Sequence, residues 1–176
     1  MTDHEPHVHT YRTHLTWEGS TGSGYKHYDR THQLTAEPAA TALTLSSDPA
    51  FLGNPALLNP EQLLVAAASS CQMLSFLAVA AGARLDVVSY RDEVEAVMPD
   101  DDKPVRITRI DIRAHVVLAD TDAPRPTAER LLHLTEVAHR QCFIANSLAT
   151  EVAVIPTFSW AGDDPGETAS DGTERT

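Results

Sequence analysis

A chain of 176 residues, 42% hydrophobic and 22% charged, is long enough to close one hydrophobic core without disulfide or metal staples. Its formal net charge of −12 excludes partners recognised through basic patches, namely nucleic acid and anionic membrane surfaces. With only Cys71 and Cys142 there is no disulfide scaffold. The opening MTDHEPHVHT has neither a basic start nor an apolar stretch, so no secretory or transit segment is read there and a cytoplasmic location is expected.

Residues 1–9 contain His4, His7 and His9 without apolar periodicity and read as a disordered, solvated tail; a divalent-metal site is the lesser reading. One folded domain is expected over 10–160. Tyr11, Thr13, Leu15 and Trp17 alternate with Arg12, His14 and Thr16, the pattern of a half-buried strand. A turn at Gly19 to Gly24 follows, then further strands over Tyr25 to Leu34 and Ala42 to Leu45. The Pro- and Gly-punctuated loop DPAFLGNPALL, Asp48 to Leu58, delivers the chain to a long apolar run.

That run, NPEQLLVAAASSCQMLSFLAVAAG from Asn59 to Gly82, predicts one helix with Asn59 as N-cap, Pro60 in the first helical position, Glu61 at the positive dipole end and Gly82 at the C′ stop. Ser69, Ser70, Cys71 and Gln72 interrupt it and no basic flank anchors it, which sets a membrane span aside. A helix apolar nearly all round is then the buried centre of a globule or of an oligomer.

Beyond it, Val88, Tyr90, Val94, Ala96 and Met98 share one parity against Arg91, Glu93 and Glu95, a strand with one wet face. After a turn at Pro99 to Pro104, Val105 to Leu118 places Ile110, Ile112, Ala114, Val116 and Leu118 on one side, so the two segments form a hairpin. The acidic turn Asp120 to Pro126 leads to a helix from Thr127 to about Arg140, with Leu131, Leu134, Val137 and Ala138 at helical spacing. Cys142 opens a short helix, Val152 to Trp160 closes as a strand, and the acidic, Gly- and Ser/Thr-rich residues 161–176 read as a disordered tail. The order β–β–β–α–β–β–α–β is that of an α+β domain with sheets around two central helices.

Chemistry is expected at the two cysteines. A cysteine attacks as thiolate, so its surroundings must lower its pKa; Cys71 alone on an apolar helix would be an inert packing thiol. Cys142 changes that balance, because backbone N–H groups of a helix start can stabilise a thiolate and because a sulfenic acid at Cys71 can condense with a second thiol. Glu61 lies ten helical residues from Cys71, roughly 15 Å along the axis. Sharing a site therefore requires Glu61 to reach the cysteine of a second copy, as in a two-fold homodimer with antiparallel helices. A cation is needed between carboxylate and thiolate; Arg30 in YKHYDRTH is the candidate, Arg12 the weaker one, and for each a plain surface charge is the competing reading. His139, three residues before Cys142, is read as a helix-end residue rather than a zinc ligand, since no close ligand pair such as C-x2-C is present. No phosphate-binding, serine-hydrolase or zinc-protease motif occurs.

These residues resemble the OsmC/Ohr family of thiol peroxidases. The match rests on N-P-E-x-L-L-x-A-A-x-x-S-C at Asn59 to Cys71, on Met73-Leu74 and Phe76-Leu77, and on A-H-x-x-C-F-I-A-N-S at Ala138 to Ser147, the latter most similar to the OsmC-like branch. The resemblance implies two antiparallel sheets wrapped around two long central helices in an intertwined homodimer. It implies Cys71 as peroxidatic thiol, Cys142 as resolving thiol, Arg30 as the arginine and Glu61 as its partner. It further implies an organic hydroperoxide substrate and recycling by a dithiol, typically on a lipoylated protein, with no metal or organic cofactor. Two positions depart from the pattern: Gln72 stands where many OsmC-like chains have histidine, and Leu52 follows Phe51 where an arginine often stands beside phenylalanine. The function so implied is reduction of organic hydroperoxides in oxidative-stress defence. The alternatives are a dimeric small-ligand binder with spectator thiols, or a redox sensor of the same fold.

Overall fold

The computed structural model describes residues 7–163. The structure is α+β, with two three-stranded sheets, and the chain divides into two compact units, Met1–Leu64 and Val65–Thr176. In chain order the elements are β1 (His14–Thr16), β2 (His32–Thr35), β3 (Leu43–Leu45), a 3-10 turn (Pro49–Phe51), α1 (Pro60–Gly82), β4 (Val87–Val97), β5 (Arg109–Leu118), α2 (Ala128–Arg140), α3 (Phe143–Ser147) and β6 (Glu151–Trp160). The expected order of strands and helices is therefore present. His4 and most of the two expected tails, 1–6 and 164–176, lie outside the described residues. Residues 161–163, expected to begin a tail, are tied in: the Ala161 N–H donates to Leu118 O at 2.7 Å and Asp163 pairs with Arg125 at 3.2 Å.

In the first unit β1, β2 and β3 pair antiparallel in that order. The strands are shorter than the alternation predicts, and Tyr11 and Leu15 are exposed rather than half-buried. The expected strand over 25–34 is reduced to its end because local side-chain bonds claim the backbone first. Asp29 Oδ1 accepts from the Thr31 N–H at 2.9 Å and its hydroxyl at 2.8 Å, and Arg30 binds the carbonyls of Tyr25 and Tyr28, leaving those groups unavailable to a ladder. The loop that follows is packed tightly at Gly53, where a Cβ would stand 1.6 Å from the Ser47 carbonyl oxygen.

Helix α1 begins with a capping box. The Gln62 N–H donates to Asn59 Oδ1 at 2.8 Å while the Asn59 N–H donates to Gln62 Oε1 at 3.1 Å, so two backbone donors are satisfied reciprocally. Its last helical residue is Gly82, and the C′ position falls at Arg84 rather than at Gly82 as expected. Leu85 N–H reaches Ala80 O at 2.9 Å and Arg84 N–H reaches Ala81 O at 3.0 Å, the paired bonds of a Schellman turn with Arg84 in the left-handed region at φ 61. Leu85, packed on the core, supplies the hydrophobic anchor that such a turn favours.

In the second unit the β4–β5 hairpin is antiparallel as expected, and Ile110, Ile112, Ala114, Val116 and Leu118 are all buried. A register shift between Val87 and Ser89 turns Val88 outward, against the parity read from sequence. The expectation of purely antiparallel sheets is corrected at β6, which pairs parallel to β5. The physical reason is the connection: a crossover through α2 and α3 brings the chain back to the end where β5 began, whereas antiparallel neighbours need only a short turn. Pro156 is accommodated because β6 is an edge strand. Phe76 and Ala80 of α1 pack with Val116, Leu118, Leu131 and Ala138 to form the core.

By length and composition alone α1 could cross a membrane, with mean hydropathy 1.9 over its most apolar window. Within one chain its buried residues, however, form one stripe, Ala68, Gln72, Phe76 and Ala80, so the expectation of a helix buried by its own globule on every side is not met. The remaining faces, including those bearing Leu74 and Cys71, are open or half-open, because one sheet can cover only one side of a helix.

Candidate functional site: a thiol pair on an apolar groove

Cys71 stands on α1 just off the buried stripe and is half-buried, not buried as the apolar run suggested. Its Sγ lies 3.5 Å from the Ile144 N–H in the first turn of α3. Partial burial pushes the Cys71 thiol up, but hydrogen bonds from the Ile144 N–H, the Cys142 thiol, the Phe143 N–H and the Ser75 hydroxyl outweigh it and hold the thiol below its ordinary value. An open groove of about 670 Å³ faces this sulfur, with Ala67, Leu74, Ala78, Phe143 and Arg140 among its walls. Phe143 is 79% exposed.

Cys142 is the N-cap of α3 and is 1% exposed. Burial pushes its thiol above the ordinary value, the hydrogen bond and charge of the adjacent Cys71 push the same way, and the N–H groups of Ala145 and Ile144 do not compensate. The helix-start N–H groups expected to favour a thiolate at Cys142 thus act on Cys71 as well, and the balance favours Cys71 as the thiolate and Cys142 as the protonated partner. Both thiols are free.

Arg30, in the first unit, is 9% exposed. Its Nη1 donates to Tyr28 O at 2.9 Å and its Nη2 to Tyr25 O at 2.7 Å, and the guanidinium lies 4.0 Å from the Tyr28 ring centre and 4.9 Å from that of Tyr25. With Leu15, Trp17, His32, Ser46 and Pro60 it lines a concavity of about 310 Å³. Glu61, expected to meet an arginine only from a second copy, forms no ion pair within the chain; among the described residues its Oε2 is buried without a hydrogen-bond partner. Arg12 is exposed and outside any strand.

The family described as OsmC-like protein matches residues 53–156, more than half of the chain and the part that carries both cysteines. The chain belongs to the OsmC-like family. Among solved structures it is similar to an OsmC-like protein of unknown function from Vibrio cholerae, at 30% identity and TM-score 0.76, covering 85% of this chain and 100% of that one. In fold it also resembles an organic hydroperoxide resistance protein from Elizabethkingia anophelis, at 18% identity and TM-score 0.64 over 89% of this chain and 100% of that one. OhrB of Bacillus subtilis, also an organic hydroperoxide resistance protein, matches at 17% identity and TM-score 0.51 over 86% and 98% of the two chains. Among curated proteins none matches the sequence.

The sequence drew attention to the two thiols that this OsmC-like chain brings together, but not to what surrounds them. Ser75 went unnoticed although it stands one helical turn from Cys71, a spacing that places it on the same face. Gln72 was read as an interruption of the apolar run, yet it is 1% exposed with Oε1 3.4 Å from His139 Nδ1. Its partner is 67 positions away, so no local pattern announces it.

Proposed function

We propose that the protein is a thiol-dependent peroxidase that reduces organic hydroperoxides, with Cys71 as peroxidatic and Cys142 as resolving thiol. The observation that carries this reading is the asymmetry of the pair: a Cys71 sulfur with its thiolate favoured, open to an apolar groove, beside a buried and protonated Cys142. The fold likeness to organic hydroperoxide resistance proteins supports it.

In the proposed cycle the Cys71 thiolate attacks the hydroperoxide; an S–O bond forms, the O–O bond breaks, and the departing alkoxide takes a proton to leave as alcohol. The Cys142 sulfur then attacks the Cys71 sulfenic acid; the S–S bond forms and hydroxide leaves with the Cys142 proton as water. A dithiol, such as a lipoylated protein, reopens the disulfide and is itself oxidised. Arg30 holds the developing negative charge and Glu61 orients Arg30 from the second copy of a homodimer. The cycle serves oxidative-stress defence in the cytoplasm, and the apolar groove walls favour bulky organic hydroperoxides over hydrogen peroxide.

The test is consumption of cumene hydroperoxide with a dithiol reductant by the native protein and by Cys71→Ser. Turnover that disappears in the variant is expected. Oxidation by one equivalent of peroxide without turnover points instead to redox sensing, and indifference of both thiols to ligand binding.

A further inference from the structure

Gln72 is an anomaly of packing. It occupies the buried stripe of α1 between the apolar Ala68 and Phe76, and its Nε2 has no partner among the described residues. A buried amide left half-satisfied is destabilising, and the bond it does make runs to His139, whose Nδ1 lies 3.4 Å from Gln72 Oε1, within reach when Nδ1 carries the proton. The His139 carbonyl in turn accepts the Cys142 N–H at 3.1 Å. One side-chain pair therefore links the residue directly after Cys71 to the residue whose carbonyl anchors Cys142. A cavity of about 230 Å³, lined by Thr135, Glu136, His139, Arg140 and Val154, adjoins the His139 ring.

We propose that Gln72 and His139 are positioning residues for disulfide closure, holding the Cys142 segment in register with the Cys71 sulfur. This rests on the peroxidase reading above. The two chemical steps differ in what they need. Attack of Cys71 on the peroxide uses the thiolate and the groove. Closure requires the Cys142 sulfur to approach along the S–O bond of the sulfenic acid, from α3 onto α1, and a small misplacement of reacting atoms costs a large factor in rate. Loosening the pair should slow the second step and spare the first.

The experiment follows one round of oxidation by stoichiometric cumene hydroperoxide in the full-length protein, without reductant. Rapid quenching and mass spectrometry resolve Cys71 sulfenic acid, trapped with dimedone, from the Cys71–Cys142 disulfide and from sulfinic acid. In Gln72→Leu and His139→Leu the sulfenic acid should form at the native rate, while closure slows by about tenfold and sulfinic acid accumulates at excess peroxide. His139→Asn, which offers an amide donor in place of Nδ1–H, should restore much of the closure rate. The double variant should close no more slowly than the slower single one, because the two residues act through one bond. If Gln72→Leu does not fold, the two His139 variants decide the matter. Native closure rates in the Leu variants, or slowing that multiplies in the double variant, would overturn the positioning role alone. Absence of both sulfenic acid and the Cys71–Cys142 disulfide in the native protein would overturn the peroxidase reading and this role with it.

Discussion

The surroundings of Arg30 and of Cys71 solve opposite electrostatic problems by the same device. Arg30 is a cation held by neutral acceptors, two backbone carbonyls and two aromatic faces. Cys71 is an incipient anion held by neutral donors, chiefly backbone N–H groups, with a hydroxyl and a thiol added. Among the described residues Arg30 makes no ion pair, its charge reaching only Asp29 beside it in sequence, and no cation hydrogen-bonds the Cys71 sulfur. A formal ion pair would neutralise each group, whereas dipoles stabilise the charge and leave it uncancelled, available to a third party. Local preorganisation without neutralisation is what a group needs if it is to meet charge that develops only during a reaction.

The largest effect is expected at Cys71. Cys71→Ser should reduce hydroperoxide turnover to background, because a serine hydroxyl in the same place is not ionised near neutral pH; steady-state assays with a dithiol reductant measure it. Arg30→Lys keeps the charge and removes the planar fork that spans two carbonyls and stacks on two rings. It should destabilise the first unit by about 2 kcal/mol, seen in denaturant unfolding and faster proteolysis over residues 25–31, and on the proposed reading it lowers turnover as well. A smaller effect is expected from pH alone. Since Cys71 is shifted down, its alkylation by iodoacetamide should rise through a midpoint below the ordinary thiol value, while Cys142, 1% exposed, should stay unmodified in the folded protein, with site-resolved mass spectrometry as the readout. The sign of the linkage follows: the ionised Cys71 contributes stability above the ordinary thiol pKa, and that contribution is lost as pH falls through the lowered one. Smallest of all, Ser75→Ala should move the Cys71 midpoint back upward, leaving the N–H donors in place; a rate of alkylation at neutral pH unchanged from native would remove Ser75 from the set.

The second unit was the more legible in sequence. The period-2 run from Ile110 to Leu118 predicts a core-facing strand because a two-sided sheet translates parity directly into burial, and the capped apolar run predicts α1 almost to the residue. Strand direction is not encoded in parity, which is why the parallel pairing of β6 emerged only from the path of α2 and α3. In the first unit the residues from Tyr25 to Thr31 carry β-type propensity, but Asp29 and Arg30 capture the backbone and fold it back. Propensity is averaged over a window; a single guanidinium with two carbonyls in reach is not. At the site, the thiols were legible because cysteines are scarce, whereas the donors to Cys71 are backbone groups of Phe143 and Ile144 that any residue type would supply.

The depth of Cys142 dictates who can speak to the proposed disulfide. With that thiol 1% exposed, an external reductant has one sulfur within reach, that of Cys71, and the mixed disulfide must form there with Cys142 as the leaving thiolate. A leaving thiol whose pKa is raised departs more slowly. The same burial that shelters the resolving cysteine from chance oxidation would then make reopening, rather than peroxide attack, the slow beat of the cycle, and oxidant and reductant would have to take turns at a single doorway.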